Sequence, residues 1–322
     1  MKCRICGNTD HNTPFVIDEM RLGMKDSFDY IKCATCGCLQ IKSYPENISA
    51  YYPSDYYSIN RQFKISSKGT IRTMLRKQVA GACTESSSSL IGKSLFSLMG
   101  GGSVEKIKMS KAGFEDKILE IGSGTGSILV GLNKYGFKNL WGIDPFIEKD
   151  IIYSEEVKVF KTSIEDFKEK DFDLTYLNHA FEHIPNQLES LKSILKLLKK
   201  DKYLILSIPI VDTYAWRRFG VNWVGLDAPR HYYIHSIKSM RFLADQAGCS
   251  IEKIVYKTSD FDFWASIQYS LGIPLQHKES YYSDKSNNSR FSLTNLKAFK
   301  KKARELDNLK DGSTAMFFLK KN

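Results

Sequence analysis

The sequence predicts an α/β fold: a mostly parallel sheet between helices, with a small cysteine-bearing ribbon at the N-terminus. Three observations predict it. Gly122-Ser123-Gly124-Thr125-Gly126 closes a strand-like segment, Lys117 to Ile121, and opens a helix carrying Ile128, Leu129 and Leu132. Further short apolar segments follow at 140–144, 157–160, 172–178 and 203–209, with a clean helical stripe before the last of them. Cys3-x-x-Cys6 and Cys33-x-x-Cys36 form two knuckles, each followed directly by a glycine, Gly7 and Gly37.

From the N-terminus, Thr13 to Ile17 and Phe28 to Lys32 read as ribbon strands between the knuckles. Paired C-x-x-C units match tetrahedral zinc on Cys3, Cys6, Cys33 and Cys36, and a turn glycine after each pair frees backbone N–H groups for sulfur. Protein would fill all four positions, so the metal is structural. Disulfides are disfavoured in a reducing cytosol and a redox pair needs only one such unit. An iron–sulfur centre or an empty site are the remaining alternatives. Cys38, Cys83 and Cys249 read as small apolar residues.

Tyr51 to Tyr57 form an aromatic cluster expected to pack between the ribbon and the main domain, with a substrate platform as the alternative. Ile71, Met74, Leu75 and Val79 share one helical face. Ser86 to Ser89 are low in complexity, and Gly100-Gly101-Gly102 suggests a hinge or exposed loop. The expected domains are therefore a ribbon at 1–57, a helical linker or cap at 58–112, and a main domain at 113–322 with an insertion at about 258–312.

The glycine loop permits close approach of a ligand to the backbone. It differs from the dinucleotide pattern G-x-G-x-x-G, because Ser127 stands where that motif needs Gly or Ala. Glu120 brings a carboxylate to the same edge, which a pyrophosphate would repel; the ligand expected is a nucleoside without phosphates. Asp144 ends the next strand, placed to accept from both ribose hydroxyls. Thr162 to Phe167 follows a short strand and offers an adenine-binding edge. Phe172 to Asn178 then delivers His179-Ala180-Phe181-Glu182-His183 to the same rim. Asn186 with Glu189 makes a capping-box-like start for the stripe Leu188, Leu191, Ile194, Leu195 and Leu198, with Lys199-Lys200 at its end. Ser236 caps a helix bearing Ile237, Met240 and Leu243, stopped by Gly248. Ser250 to Tyr256 and Thr314 to Leu319 are the last two strands, Asn287 to Ser289 a loop, and Leu296 to Leu306 a basic helix.

These motifs, in this order over residues 113 to 257, resemble the class I S-adenosylmethionine-dependent methyltransferases. The resemblance implies a Rossmann-like seven-stranded sheet whose final strand is antiparallel. It also implies donor binding by Glu120, Gly122, Ser123, Gly124, Gly126, Asp144, Pro145, Ile164, Glu165, Asp166, Asn178 and His179. The four-cysteine ribbon and the run from Trp223 to His231 look like bacterial sugar and surface-glycan methyltransferases. That likeness implies a cytoplasmic enzyme of capsule or other polysaccharide biosynthesis, acting on a sugar, sugar nucleotide or related polar metabolite. The central histidine motifs of sugar C-methyltransferases are not clearly matched, so O-methylation is expected.

Transfer to a hydroxyl benefits from a general base, and histidine is poised for that near neutral pH. His231 is the leading candidate, with His183 and Asp227 as the other catalytic candidates. Arg230, Trp223 and Trp216 are the expected acceptor contacts, because a loop rich in Arg, His and Trp after a strand has no obvious core to serve. The alternative for the two tryptophans is a local aromatic core.

Hydrophobic residues make 42% and charged residues 26% of the 322, an ordinary globular balance. Met1-Lys2-Cys3 leads straight into the cysteine motif with no leader-like apolar segment, and the longest apolar run is too short for a bilayer. The net charge of +11 is spread along the chain without a dense basic block. An anionic small acceptor is therefore expected rather than nucleic acid. The rival readings are an RNA methyltransferase gripping RNA through the ribbon, and a donor-binding partner subunit without catalysis.

Overall fold

The computed structural model describes residues 1–53, 63, 71–81, 102–283 and 290–321. The features expected at Tyr56-Tyr57, Ser86 to Ser89, Gly100-Gly101 and Asn287 to Ser289 lie outside the described residues, as does Cys83. The chain divides into two compact units. One comprises Met1–Pro53, Phe181–Leu188 and Ser207–Phe317; the other comprises Ser54–Ala180, Glu189–Leu206 and Phe318–Asn322.

The main sheet has the order β11-β12-β9-β8-β4-β5-β7-β6. Its centre is β4 (Lys117–Ile121), β5 (Asn139–Ile143), β7 (Val157–Phe160) and β8 (Phe172–Asn178). Strand β4 runs parallel to both β5 and β8, and β5 parallel to β7. The outer strands are β9 (Leu198–Pro209), β11 (Cys249–Tyr256) and β12 (Thr314–Lys321), the C-terminal one antiparallel. Seven strands are therefore those expected. The eighth, β6, is a two-residue strand, Ile151–Ile152, antiparallel to β7 at the sheet edge.

Parallel central strands are covered on both faces, so they read as continuous apolar runs. Leu119, Leu140, Val157, Val159, Leu174 and Leu177 are buried accordingly. Helix Ser127–Lys134 buries Leu129, Val130 and Leu132, and helix Gln187–Leu197 buries Leu191, Ile194 and Leu195. The latter helix ends earlier than its stripe suggests. Leu198 already belongs to β9, and Lys199 reaches Asp173 at 2.9 Å instead of capping helix carbonyls.

In the unit containing the N-terminus, β1 (Thr13–Asp18), β2 (Ser27–Lys32) and β3 (Leu39–Ile41) form an antiparallel ribbon. Its fourth strand is β10, Tyr233–Ile234, far away in sequence. The apolar side of this ribbon has a shared interior: Ile17, Tyr30, Leu39 and Ile41 pack in one cluster with Trp223, Leu226, Trp264 and Phe291. Helix Ile237–Ala247 starts at Ser236 with a capping box completed by Ser239 and stops at Gly248 in the left-handed region. Helices Phe261–Ser270 and Leu293–Asn308 lie in the segment between β11 and β12.

Candidate active site

The glycine loop follows β4 directly. Gly122 and Gly126 have φ of 69° and 81°, a region that suits glycine. A Cβ at Gly122 would sit 2.5 Å from that of Ala180, and one at Gly126 2.7 Å from Val159 Cγ2. The turn is thus required by conformation and by space. Its amides are turned inward: Gly122 and Ser123 donate to the Ile143 carbonyl at 2.9 and 3.2 Å, Gly124 to Asp144 Oδ2 at 2.8 Å, and Gly126 to the Ser123 carbonyl at 2.9 Å. A phosphate cradle aims such N–H groups at its ligand. Here three of them serve the end of the neighbouring strand and the fourth the loop itself, which suits a ligand without phosphate.

Two carboxylates border this loop. Asp144 is buried and accepts from the Gly124 and Phe146 amides at 2.8 and 2.9 Å, so backbone fixes its orientation. Glu120 is also buried, and its Oε2 has no hydrogen-bond partner. Burial pushes its carboxyl up to about 8; Lys106 opposes that rise and Asp144 adds to it. An orphaned acceptor of this kind fits a ligand that brings a donor or a positive charge. Around them, Asn178 Oδ1 accepts from Lys106 Nζ at 2.9 Å and from the Tyr176 hydroxyl at 2.7 Å. Ile164 is half-buried; Glu165 and Asp166 are exposed, Asp166 accepting from the Ser163 hydroxyl at 2.8 Å. Pro145 and His179 are exposed, His179 with φ of 51° at the end of β8. Phe146, two residues after Asp144, is 74% exposed. The sequence reading did not single it out, although an aromatic beside the acidic residue was a usable signal.

The second group of site residues lies in the unit containing the N-terminus. His183 and His231 face each other with ring centroids 4.7 Å apart. His183 Nδ1 lies 2.8 Å from the Arg230 carbonyl, and His231 Nδ1 2.9 Å from the Gly225 carbonyl. A carbonyl only accepts, so each ring carries its proton on Nδ1 and leaves the Nε2 lone pair open. His231 Nε2 is 3.8 Å from Glu182 Oε1 and 3.8 Å from Asp227 Oδ2. Burial depresses the His231 imidazole to about 4, helped by His183 and opposed by Asp227 and Glu182. At neutral pH it is an uncharged base. The Tyr52 hydroxyl lies 3.1 Å from His183 Nδ1.

Arg230 has a different setting from the one expected. Its side chain is wholly buried, donating to Glu19 at 2.9 Å, to both oxygens of Asp227 at 2.8 and 3.1 Å, and to the Tyr51 carbonyl at 3.1 Å. Glu19 in turn accepts from the amides of Arg21, Leu22, Gly23 and Met24. Burial would raise the Asp227 carboxyl, yet Arg230 and Arg21 hold it far below its usual range. The guanidinium expected to hold an acceptor anion is thus occupied by protein, and Asp227 serves as its counter-ion. Nothing in the sequence marked Glu19, which pairs across 211 positions. Trp223 is likewise core, its indole N–H donating to Asp262 at 3.2 Å. Trp216 is half-buried against Phe15, ring centroids 5.2 Å apart.

The four cysteines of the knuckles come together. Their sulfurs all lie within 4.8 Å of one another, with Cys3–Cys36 at 3.7 Å and Cys6–Cys33 at 3.5 Å. Tetrahedral zinc with bonds of about 2.3 Å requires sulfurs about 3.8 Å apart, so the set fits such an ion. Buried Gln40 donates to Cys3 Sγ at 3.0 Å, a partner the spacing could not reveal. Beside the second knuckle is a cavity of 480 Å³, lined in part by Thr13, Lys32, Thr35, Asp212, Ser236 and Lys238.

A sequence profile for a methyltransferase domain matches residues 93–254, half of the chain. The chain belongs to that methyltransferase family. The resemblance read from the loop, the carboxylates and the strand order is thereby supported, and the enzyme is an S-adenosylmethionine-dependent methyltransferase. Solved structures with similar folds include a SAM-dependent methyltransferase of Thermotoga maritima, 17% identical over 69% of this chain and 88% of that one, with a TM-score of 0.42. Another is an S-adenosylmethionine-dependent methyltransferase of Mesorhizobium loti, 12% identical over 70% and 100% of the two chains, with a TM-score of 0.44. A third, from Archaeoglobus fulgidus, is 16% identical over 65% and 86%, with a TM-score of 0.40. No curated protein matches the sequence. No described helix of the methyltransferase is long and apolar enough to cross a membrane.

Proposed function

We propose that this methyltransferase moves the donor's methyl group to a hydroxyl of a sugar, sugar nucleotide or related polar metabolite of surface-glycan biosynthesis. When bound, S-adenosylmethionine supplies an electrophilic methyl on a sulfonium. Asp144 would receive the ribose hydroxyls, Glu120 would accept from a donor group through its open Oε2, and Asp166 with Ile164 would border the adenine. The remaining work is to hold the acceptor oxygen in line, exclude water and take up its proton.

The observation that carries the hydroxyl reading is the His183–His231 pair, whose Nδ1 atoms face backbone carbonyls and whose Nε2 lone pairs are open. A neutral, partly accessible imidazole suits proton removal from a hydroxyl. A structural zinc on the four thiolates completes the reading.

The test is a screen of sugar nucleotides and related metabolites for mass gain with labelled donor, repeated with His231→Ala. The expected result is label on an oxygen of one such compound. The variant should retain donor affinity while losing at least ~100-fold in turnover, the lower end for general-base removal. Label on RNA alone, or a full-rate variant, would overturn the proposal.

A further inference from the structure

We infer that Glu182, His183 and His231 form a binding site for a divalent transition-metal cation, separate from the four-cysteine centre. The three side chains each offer one ligand atom, and these atoms lie within 4.8 Å of one another. Two imidazoles and one carboxylate are the donor set that suits zinc and its first-row neighbours, leaving coordination positions open.

Two features make this more than proximity. First, both rings are locked by the hydrogen bond that metal-binding histidines make on their second nitrogen. Nδ1–H donates to the carbonyl of Arg230 in one case and of Gly225 in the other, so both Nε2 lone pairs remain for a cation. Second, those carbonyls belong to the segment held by Arg230, whose buried network with Glu19 and Asp227 fixes its backbone.

The spacing is compatible. Bonds of about 2.1 Å around a tetrahedral ion place ligand atoms about 3.4 Å apart. The separation of 3.8 Å between His231 Nε2 and Glu182 Oε1 needs only a small side-chain rotation. The base role proposed for His231 belongs to the cation-free protein. With a cation present its lone pair is engaged, and the open positions offer an oxygen ligand a place to bind.

The site can be tested without donor or acceptor, so its failure is distinguishable from failure of the acceptor proposal. Full-length protein is cleared of metal with a mild chelator and titrated with Co²⁺, following absorption and metal content. The expected result is two equivalents: one with intense near-ultraviolet thiolate charge transfer, and one with weak visible bands only. His183→Ala and His231→Ala should each weaken the second equivalent at least ~10-fold and leave the first intact. His277→Ala, an exposed histidine, should change neither. Where an alanine variant loses its near-ultraviolet dichroism, Glu182→Gln, close in shape, replaces it. Uptake of a single equivalent, or a second that survives loss of both histidines, would overturn the inference.

Discussion

Asp144 and Glu120 are neighbours in space with different electrostatic roles. Asp144 receives two backbone amides, which fix its orientation. Removing its carboxylate in Asp144→Ala should weaken donor binding at least ~10-fold by calorimetry, the scale of one charge-assisted hydrogen bond. Unchanged affinity would remove the ribose assignment. Glu120 is held at about 8 by burial, so below that pH it is largely protonated in the free protein. A positively charged donor favours the ionised carboxylate, so binding at pH 7 should release a proton. The measured enthalpy should then vary with buffer ionisation enthalpy, and Glu120→Gln should abolish the variation. Arg230 shows how residue-level reasoning can mislead. Its neighbours in sequence suggested a substrate loop, whereas its guanidinium compensates two buried carboxylates, an arrangement costly to break.

At the scale of elements, the strand–loop–helix at 117–134 was legible because its determinants are local. Apolar strand residues, glycines and helix stripe occur within about one and a half dozen positions, and the positive φ values confirm the glycine requirement. The cap at Ser236 and the stop at Gly248 were legible for the same reason. The helix end near Leu197 was not, since a lysine pair there serves equally as a helix terminus or as a partner for Asp173. Helix Ile237–Ala247 also carries a pH-dependent anchor. His235 is fully buried, its Nε2 2.7 Å from Gln187 Oε1 and its Nδ1 2.9 Å from the Ser239 hydroxyl. Burial depresses it to about 3, below its value of about 6.5 in the unfolded chain. The unfolded state therefore binds more protons between those values, so this contribution is complete above about 6.5 and is lost as pH falls toward 3. The denaturant midpoint should drop across that window. His235→Gln should flatten the drop, and an unaltered slope would discount the anchor.

At the scale of the molecule, the ribbon is not an appendage with its own small core. Strand β10 completes its sheet, and Ile17, Tyr30 and Leu39 share an interior with Trp223 and Trp264. Small ribbons lack the buried area to fold well alone, which favours both the metal and this shared core. Three of the four tryptophans, 216, 223 and 264, lie in the unit that contains the ribbon. Stripping metal from the thiolates should therefore red-shift the fluorescence and lower the melting temperature. A metal-free sample with unchanged emission and stability would refute a structural role for that centre.

The sequence by itself determined the methyltransferase architecture, the glycine loop with its acidic neighbours and the four-thiolate cluster, because each depends on spacing within a short stretch of chain. Tertiary structure alone decided that Arg230 belongs to Glu19 and Asp227, that Trp223 is core, and that Glu182, His183 and His231 converge. The physical reason is that burial and ion pairing depend on which distant segments fold together, and a buried charge takes whichever partner offsets its lost hydration.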